Sequence, residues 1–535
     1  MSNQKKQWGA IIIMIALFAM IAFVTNLCSP MATIIKNQGP ISNVLAQIGN
    51  YGNFIAYLVM GIPAGMLISK YGYKKTALIG LAVGITGIGI QWFSGQLDAQ
   101  ENLGLVFAIY LVGAFVAGLC MCILNCVVNP MLNILGGGGN KGNQLIQIGG
   151  VFNSSAAVAV YIIMGASIGE ITRETKIADA EFALMLALAI FVIAFIVILK
   201  TKIQEPEQSK VDMSLVKGAL KFRHFKLGIL AIFLYMGIEV GVPTYILQYL
   251  PADTQETLDK KELIITRYDN KEITADQATI EYLATTQETD KAIIREKAAE
   301  EALKKFLEKN ENAAEYKKDS VKLAAGDRAV KDFDDLVKET KEKIAGANPE
   351  ITIESIKATA PGCGMKVSIA NTIVAVYWLM MLIGRFIGGA IGSKISSRKM
   401  ITTVSVMTLV LVAFGMFASA SSTITIPGID WNNMDIISAQ VPIGIFAFLL
   451  VGLCTSVMWG GIFNMAVEGL GKYTAVASGI FMTMVFGCAV MVFIQGMVAD
   501  MTANYMTSYW IVMFCAAYLL FYALVGSKPS KKSVE

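Results

Sequence analysis

Forty Asp and Glu residues occur in this 535-residue chain, and 25 of them fall between residues 251 and 360. Of the other 15, nearly all border apolar stretches, whereas Glu239 stands deep inside one. It lies 13 residues beyond Lys226, about 20 Å along a helix rising 1.5 Å per residue. That depth is the middle of a bilayer. An acid there is costly to bury and is a functional candidate by default, suited to binding and releasing a proton. The plainer reading is a structural acid that hydrogen-bonds inside a helix bundle. No Lys, Arg or His offers itself as a partner at that depth. Arg385, close to the end of its own stretch, is expected to anchor at the membrane surface.

A second set of residues is neutral and polar. Asn26, Asn53, Asn125, Asn129, Gln147, Asn153 and Ser154 lie in the first part of the chain, and Tyr235, Thr244, Gln248, Asn371, Tyr377, Trp378 and Trp459 in the second. Asn125 and Asn129, four apart, share a helix face. Amides donate and accept hydrogen bonds, and aromatic faces stack on apolar ring surfaces, so the set suits a neutral polyol such as a sugar. Amide pairing between helices is the competing use. Asn26, Asn125, Asn129, Gln147, Tyr235, Tyr377, Trp378 and Trp459 are the solute-binding candidates. His224, the one histidine, lies in a basic connector and is given no role. The eight cysteines lack paired spacing, so no metal site and no cofactor are expected.

The elements that must position these groups follow from composition. Hydrophobic residues make up 55% of the chain and charged residues 16%, against about a quarter charged in soluble domains; the mean hydropathy is +0.58. Twelve stretches are long and apolar enough to cross a membrane, near 8–35, 44–70, 75–95, 103–132, 143–169, 180–200, 226–250, 367–393, 399–420, 440–464, 473–499 and 505–527. The fold class expected is an all-α membrane protein: twelve transmembrane helices in two six-helix pseudo-repeats, with a helical extracytoplasmic insertion between helices 7 and 8. The parts are a six-helix half (1–200), a cytoplasmic connector (201–225), helix 7 (226–250), the insertion (251–365), helices 8–12 (366–527) and a cytoplasmic tail (528–535). With the N-terminus inside, 20 Lys and Arg fall in the inner segments, against Lys36, Arg173 and Lys176 in the short outer loops. Both termini are therefore expected in the cytoplasm. The insertion carries 19 Lys/Arg beside its 25 acids within 251–360. Ala298–Glu308 and Ala329–Ile344 pattern as amphipathic helices, giving two to four helices in a solvated cap or a docking site for an envelope partner.

An internal repeat supports the two halves. Gly65-Met-Leu-Ile-Ser-Lys-Tyr-Gly-Tyr-Lys-Lys75 follows span 2, and Gly389-Ala-Ile-Gly-Ser-Lys-Ile-Ser-Ser-Arg-Lys399 follows span 8. A weaker pair, Asn129–Gly136 and Asn464–Gly471, follows spans 4 and 10. The first element resembles the conserved loop of the major facilitator superfamily, with Ser69 and Lys70 where that pattern has an acid and Arg. Gly65, the turn glycine Gly72, Lys74, Lys75, Arg385, Lys394 and Arg398 are its gating-loop candidates.

Further stretches narrow the resemblance. Thr25-Asn-Leu, Asn125-Cys-Val-Val-Asn-Pro-Met, Phe152-Asn-Ser, Tyr235-Met-Gly-Ile-Glu239, Ile383-Gly-Arg-Phe386, Ile462-Phe and Gly469-Leu-Gly471 resemble the fucose–proton symporter family, over nearly all of the membrane part and none of 251–365. The resemblance implies alternating access between two halves around a central sugar site. Where its proton-coupled members carry acids in spans 1 and 4, this chain has Ser29 and Asn125. Coupling then falls to Glu239, to another ion such as sodium, or is absent in a uniporter. The reading is a secondary transporter of a bacterial inner membrane, moving a sugar or similar small neutral solute. A transporter-like receptor presenting the outer domain and an exporter of amphipathic compounds are the rivals. An enzyme is not expected, because no nucleophile motif or paired acids occur. No nucleic-acid partner is expected either, because the net charge of +4 is scattered.

Overall fold

A computed structural model describes residues 8–37, 43–97, 99–137, 139–168, 177–201, 213–285, 337–338, 340–345, 351–365, 367–392, 394–419, 421–430 and 435–528. The chain is mostly helical. In order come α1 (Trp8–Asn37), α2 (Asn43–Gly95), α3 (Ala99–Leu135), α4 (Gly139–Ile168), α5 (Glu181–Lys200), α6 (Met213–Ala219), α7 (Arg223–Tyr249), α8 (Gln255–Asp269), α9 (Ala275–Ala284), α10 (Ile353–Lys357), α11 (Val367–Ile391) and α12 (Ser397–Phe417). Strands β1 (Thr423–Asp430) and β2 (Asp435–Pro442) follow, then α13 (Ile443–Thr455), α14 (Met458–Val467), α15 (Thr474–Thr483), α16 (Gly487–Thr502) and α17 (Tyr505–Phe521). Among the described residues, ten helical segments are long and apolar enough to cross a membrane.

One of these, α2, has 53 residues and would be about 80 Å long if straight, far beyond the hydrocarbon core of about 30 Å. It is broken at Gly72, whose φ of 81° and ψ of 173° are not helical. Only glycine adopts that backbone without strain, so the expected turn glycine stands at the break. Helix α4, 30 residues long, is not among the ten. The chain also breaks its helices near the expected site. Residues 456–457 separate α13 from α14, and a 3₁₀ turn, Met484–Phe486, separates α15 from α16.

The chain forms two compact units. The larger contains residues 1–244, 372–495 and 509–535. It also contains, among the described residues, a departure from an all-helical fold. β1 and β2 form an antiparallel hairpin in register from Thr423 opposite Pro442 to Asp430 opposite Asp435. The sequence reading began a span at 440, but strand β2 runs to Pro442 and the helix starts at Ile443. The alternation in Thr423-Ile-Thr-Ile426 is a period-two signal that hydropathy averaging conceals.

The smaller unit contains residues 245–371 and 496–508. Its entering and leaving strands of chain are clamped together: Gly362, Cys363, Gly364 and Met365 donate their N–H groups to Asp253, Tyr249, Ala252 and Leu250 over 2.7–3.1 Å. A side chain at Gly362 would collide with the Tyr249 carbonyl, and Gly364 has φ +64°. The intervening chain therefore returns to where it left. Leu258, Ile264, Ile265, Ile273, Ala278, Ile344 and Ile356 form a small core. Thr254 and Thr274 cap α8 and α9 through their hydroxyls. Lys261 is buried, bonds Asp253 at 2.6 Å, and lies 4.9 Å from the Tyr282 ring centroid. Burial, with the Asp253 charge nearby, pushes the Tyr282 hydroxyl up to about 12. Of the two helices expected from patterning, Ala298–Glu308 lies outside the described residues, as does most of Ala329–Ile344.

Ile265→Ala removes a core side chain that is 2% exposed and costs about 2–5 kcal/mol. Hydrogen exchange is expected to show lost protection across residues 255–284.

Candidate functional site

The site begins with the backbone of α7. Pro243 lies inside this helix, and a proline cannot donate to the carbonyl four residues before it. That carbonyl belongs to Glu239. The Tyr377 hydroxyl donates to it at 3.1 Å and lies 3.1 Å from the Thr455 Oγ1. Tyr235, one turn before Glu239, donates its hydroxyl to the Thr455 carbonyl at 3.4 Å and is also within hydrogen-bonding reach of the Glu239 carboxylate. Proline thus frees an acceptor where α7, α11 and α13 meet, and the Tyr377 hydroxyl fills the gap while Tyr235 ties α7 to α13.

The Glu239 carboxylate has a cationic partner. Arg385 Nη2 lies 3.8 Å from Glu239 Oε1, with side chains 9% and 13% exposed for Arg and Glu. Arg385 Nη1 faces three acceptors on α4: the Gly150 carbonyl at 2.8 Å, Asn153 Oδ1 at 2.8 Å and Ser154 Oγ at 2.9 Å. This corrects the expectation that Arg385 anchors at a membrane surface and that Glu239 has no charged partner. The Cα of Arg385 is near the end of α11, but its long side chain turns into the bundle, where three acceptors and an acid satisfy it. Gly150 makes the approach feasible, since a Cβ there would sit 3.0 Å from the Arg385 Cδ.

The amides lie on a continuous path beside this pair. Asn125 donates to the Tyr57 hydroxyl at 2.8 Å, and Asn129 donates to the Asn125 carbonyl at 3.1 Å. Trp459 Nε1 donates to Asn129 Oδ1 at 3.0 Å. Its ring stands 6.3 Å from Tyr235 and 5.8 Å from Phe481 between centroids. Asn125, Asn129, Trp459, Tyr235, Glu239 and Tyr377 are therefore connected. Trp378, half-buried, packs edge-on to Tyr377 at 5.4 Å. Gln147 lies further along α4 and donates to the Val457 carbonyl at 3.2 Å. Asn26 turns back on its own helix, donating to the Ala22 carbonyl at 2.8 Å. Tyr57, Thr455 and Phe481 complete the path and were missed. Their sequence signals are weak: a lone tyrosine in an apolar run, a threonine before a helix break, and a phenylalanine among many.

The repeated basic element holds each set of helices together. Lys74 Nζ donates to the Leu199 and Thr201 carbonyls at 3.1 and 2.7 Å, at the end of α5. Arg398 bonds Ser527 Oγ at 3.0 Å and its carbonyl at 3.3 Å, just past α17. These residues occupy equivalent places in the repeat and do equivalent work: a cation satisfies carbonyls that the last turn of a helix leaves open. Lys75 and Lys394 are exposed.

Other contacts join helices before the connector to helices after it, all toward this basic end. Gln144 donates to the Gly389 carbonyl at 2.8 Å, and Asn133 to Asn464 Oδ1 at 3.3 Å. Helices α2 and α15 meet through glycines: a Cβ on Gly479 would lie 2.6 Å from the Gly61 carbonyl and 3.1 Å from the Gly65 Cα.

These features define a class. The chain is a multi-pass membrane protein with the fold of major facilitator superfamily transporters. A crystal structure of the superfamily transporter FucP in the outward conformation superposes with a TM-score of 0.63 at 16% identity, covering 97% of this chain and 98% of that one. The proton:xylose symporter XylE, bound to 6-bromo-6-deoxy-D-glucose, gives 0.53 at 10% identity, covering 99% and 98%. No family model matches the sequence. In sequence the chain resembles a glucose/galactose transporter of Brucella abortus, 23% identical over 534 residues, with 98% of this chain and 96% of the relative covered. It also resembles the L-fucose-proton symporter of Escherichia coli, 21% identical over 262 residues, with 44% of this chain and 58% of the relative covered.

Arg385→Met leaves the Glu239 carboxylate buried without its cation and costs about 3–5 kcal/mol. Denaturation of the purified protein should show that loss, with partial recovery in the Arg385→Met, Glu239→Gln double variant.

Proposed function

We propose that this chain is a secondary transporter that moves a sugar, or a similar small neutral solute, across a bacterial inner membrane. The observation that carries the reading is one buried cluster. Glu239, Arg385, Tyr235, Tyr377, Asn125, Asn129 and Trp459 bring a charge pair, amides and aromatic faces together inside the bundle. A solute with several hydroxyls and an apolar ring face matches those groups. The names of the relatives point the same way, since they are transporters of glucose, galactose and L-fucose. Catalysis plays no part in this reading.

Twelve helices make the crossing. Ten membrane-length segments are joined by α4, and the long α2 counts twice because it breaks at Gly72. The halves are 1–200 and, apart from an extracytoplasmic insertion at 251–365, 226–527. The basic end faces the cytoplasm, as do both termini, in keeping with the Lys and Arg excess. In this orientation the contacts of Gln144, Gln147, Asn133, Gly61 and Gly479 close the cytoplasmic end, which accords with the likeness to an outward-conformation structure. Transport proceeds when the halves part there and close at the other end.

Coupling runs through Glu239. When it is ionised, Arg385 balances its charge while hydrogen-bonded to α4. When it is protonated, Arg385 keeps only the neutral acceptors of α4 and its buried charge is left without a counter-ion. A proton and a solute that each prefer one arrangement then bias the same equilibrium. Glu239→Gln should retain sugar exchange across proteoliposomes at equal pH, while accumulation driven by a proton gradient falls at least tenfold. Unchanged accumulation would remove Glu239 from the coupling role.

A further inference from the structure

A buried amide at the closed basic end has no partner among the described residues. Asn143 is on the first turns of α4 and is 0% exposed. Neither its Oδ1 nor its Nδ2 has a hydrogen-bond partner among the described residues. Its neighbours on the same helix do: Gln144 reaches the Gly389 carbonyl and Gln147 the Val457 carbonyl. The reason is opposite it. Gly460, on α14, lies so close that a Cβ would be 2.8 Å from Asn143 Oδ1 and 2.8 Å from Gln147 Nε2. Two amides thus press on one glycine that has no side chain to offer them, and only Gln147 reaches past it to a carbonyl.

We propose that Asn143 is a positioning residue for the transport step: its unsatisfied amide destabilises the closed basic end and keeps it ready to open. A buried amide without a partner loses the hydrogen bonds that water would give it. Parting α4 from α14 wets the amide and restores them. The remaining ladder of Gln144, Gln147 and Arg385 holds the end shut, while Asn143 opposes it, so the two arrangements stay close in free energy. A fully satisfied interface would hold the protein in one state. The proposal rests on the alternating-access reading above.

Asn143→Leu keeps a similar volume and removes the polar group. Spin labels at Lys141→Cys and Lys394→Cys, both exposed at the basic end on opposite sides of the contact, report the opening in a Cys28→Ser, Cys363→Ser background. Distances are measured with and without sugar and at two pH values. In the parent, long and short distances should both be populated. Asn143→Leu should raise the short-to-long ratio about tenfold and slow sugar exchange, without lowering thermal stability. Asn143→Ala should shift the ratio in the same direction by less. If Asn143→Leu leaves the ratio unchanged or raises the open fraction while the parent still interconverts, the proposal is overturned. A parent that shows one distance under every condition contradicts alternating access itself, and the proposal with it.

Discussion

A charge cannot be left alone in hydrocarbon, and the interior of this protein is organised by that constraint. Glu239 is held in α7, its cation arrives on α11, and that cation is itself held by α4. Three helices from both sides of the connector therefore meet on one guanidinium. The distances distinguish the two sides. Arg385 makes hydrogen bonds of 2.8–2.9 Å to α4 but stands 3.8 Å from the acid. Its strongest directional contacts thus cross from the later helices to the earlier ones, while its charge balance stays among the later ones.

Close backbone approach is the second requirement. Gly150 admits Arg385, Gly460 admits the two amides of α4, and Gly61, Gly65 and Gly479 let α2 and α15 touch. Small residues let helices pack tightly in a medium where apolar surface gains little from burial against other apolar surface. The same economy appears at the helix ends, where Lys74 and Arg398 satisfy open carbonyls within each set. The cations of the repeated loop thus stiffen the sets, and the amides and glycines carry the contact between them. Rigid sets joined by a contact of modest polar bonds are what a rocking movement requires.

Much of this was legible in the sequence, and the failures have physical reasons. The apolar stretches and the turn at Gly72 follow from hydropathy and glycine, which are local or additive properties. Asn125, Asn129, Tyr235, Tyr377 and Trp459 were found because polar and aromatic groups are conspicuous in apolar runs. The partner of Glu239 was missed because depth was judged from backbone position, and arginine carries its charge far from its Cα. Tyr57, Thr455 and Phe481 join the path only through tertiary contact. The hairpin at 423–442 lies mostly between two expected spans, and only its last three residues were counted in one, because averaging over a window erases a two-residue period. The clamp at 362–365 left a trace in Gly362 and Gly364, but nothing local says which residues they oppose.

The central claim is that the buried pair and its amides serve sugar movement across a membrane. Uptake of labelled glucose, galactose and fucose by the purified protein in liposomes tests it most directly, with and without an acid-outside proton gradient. The account predicts concentrative uptake of at least one of these sugars under the gradient, and equilibration alone when the gradient is collapsed. Uptake no greater than in empty liposomes, for all three and under both conditions, would contradict it.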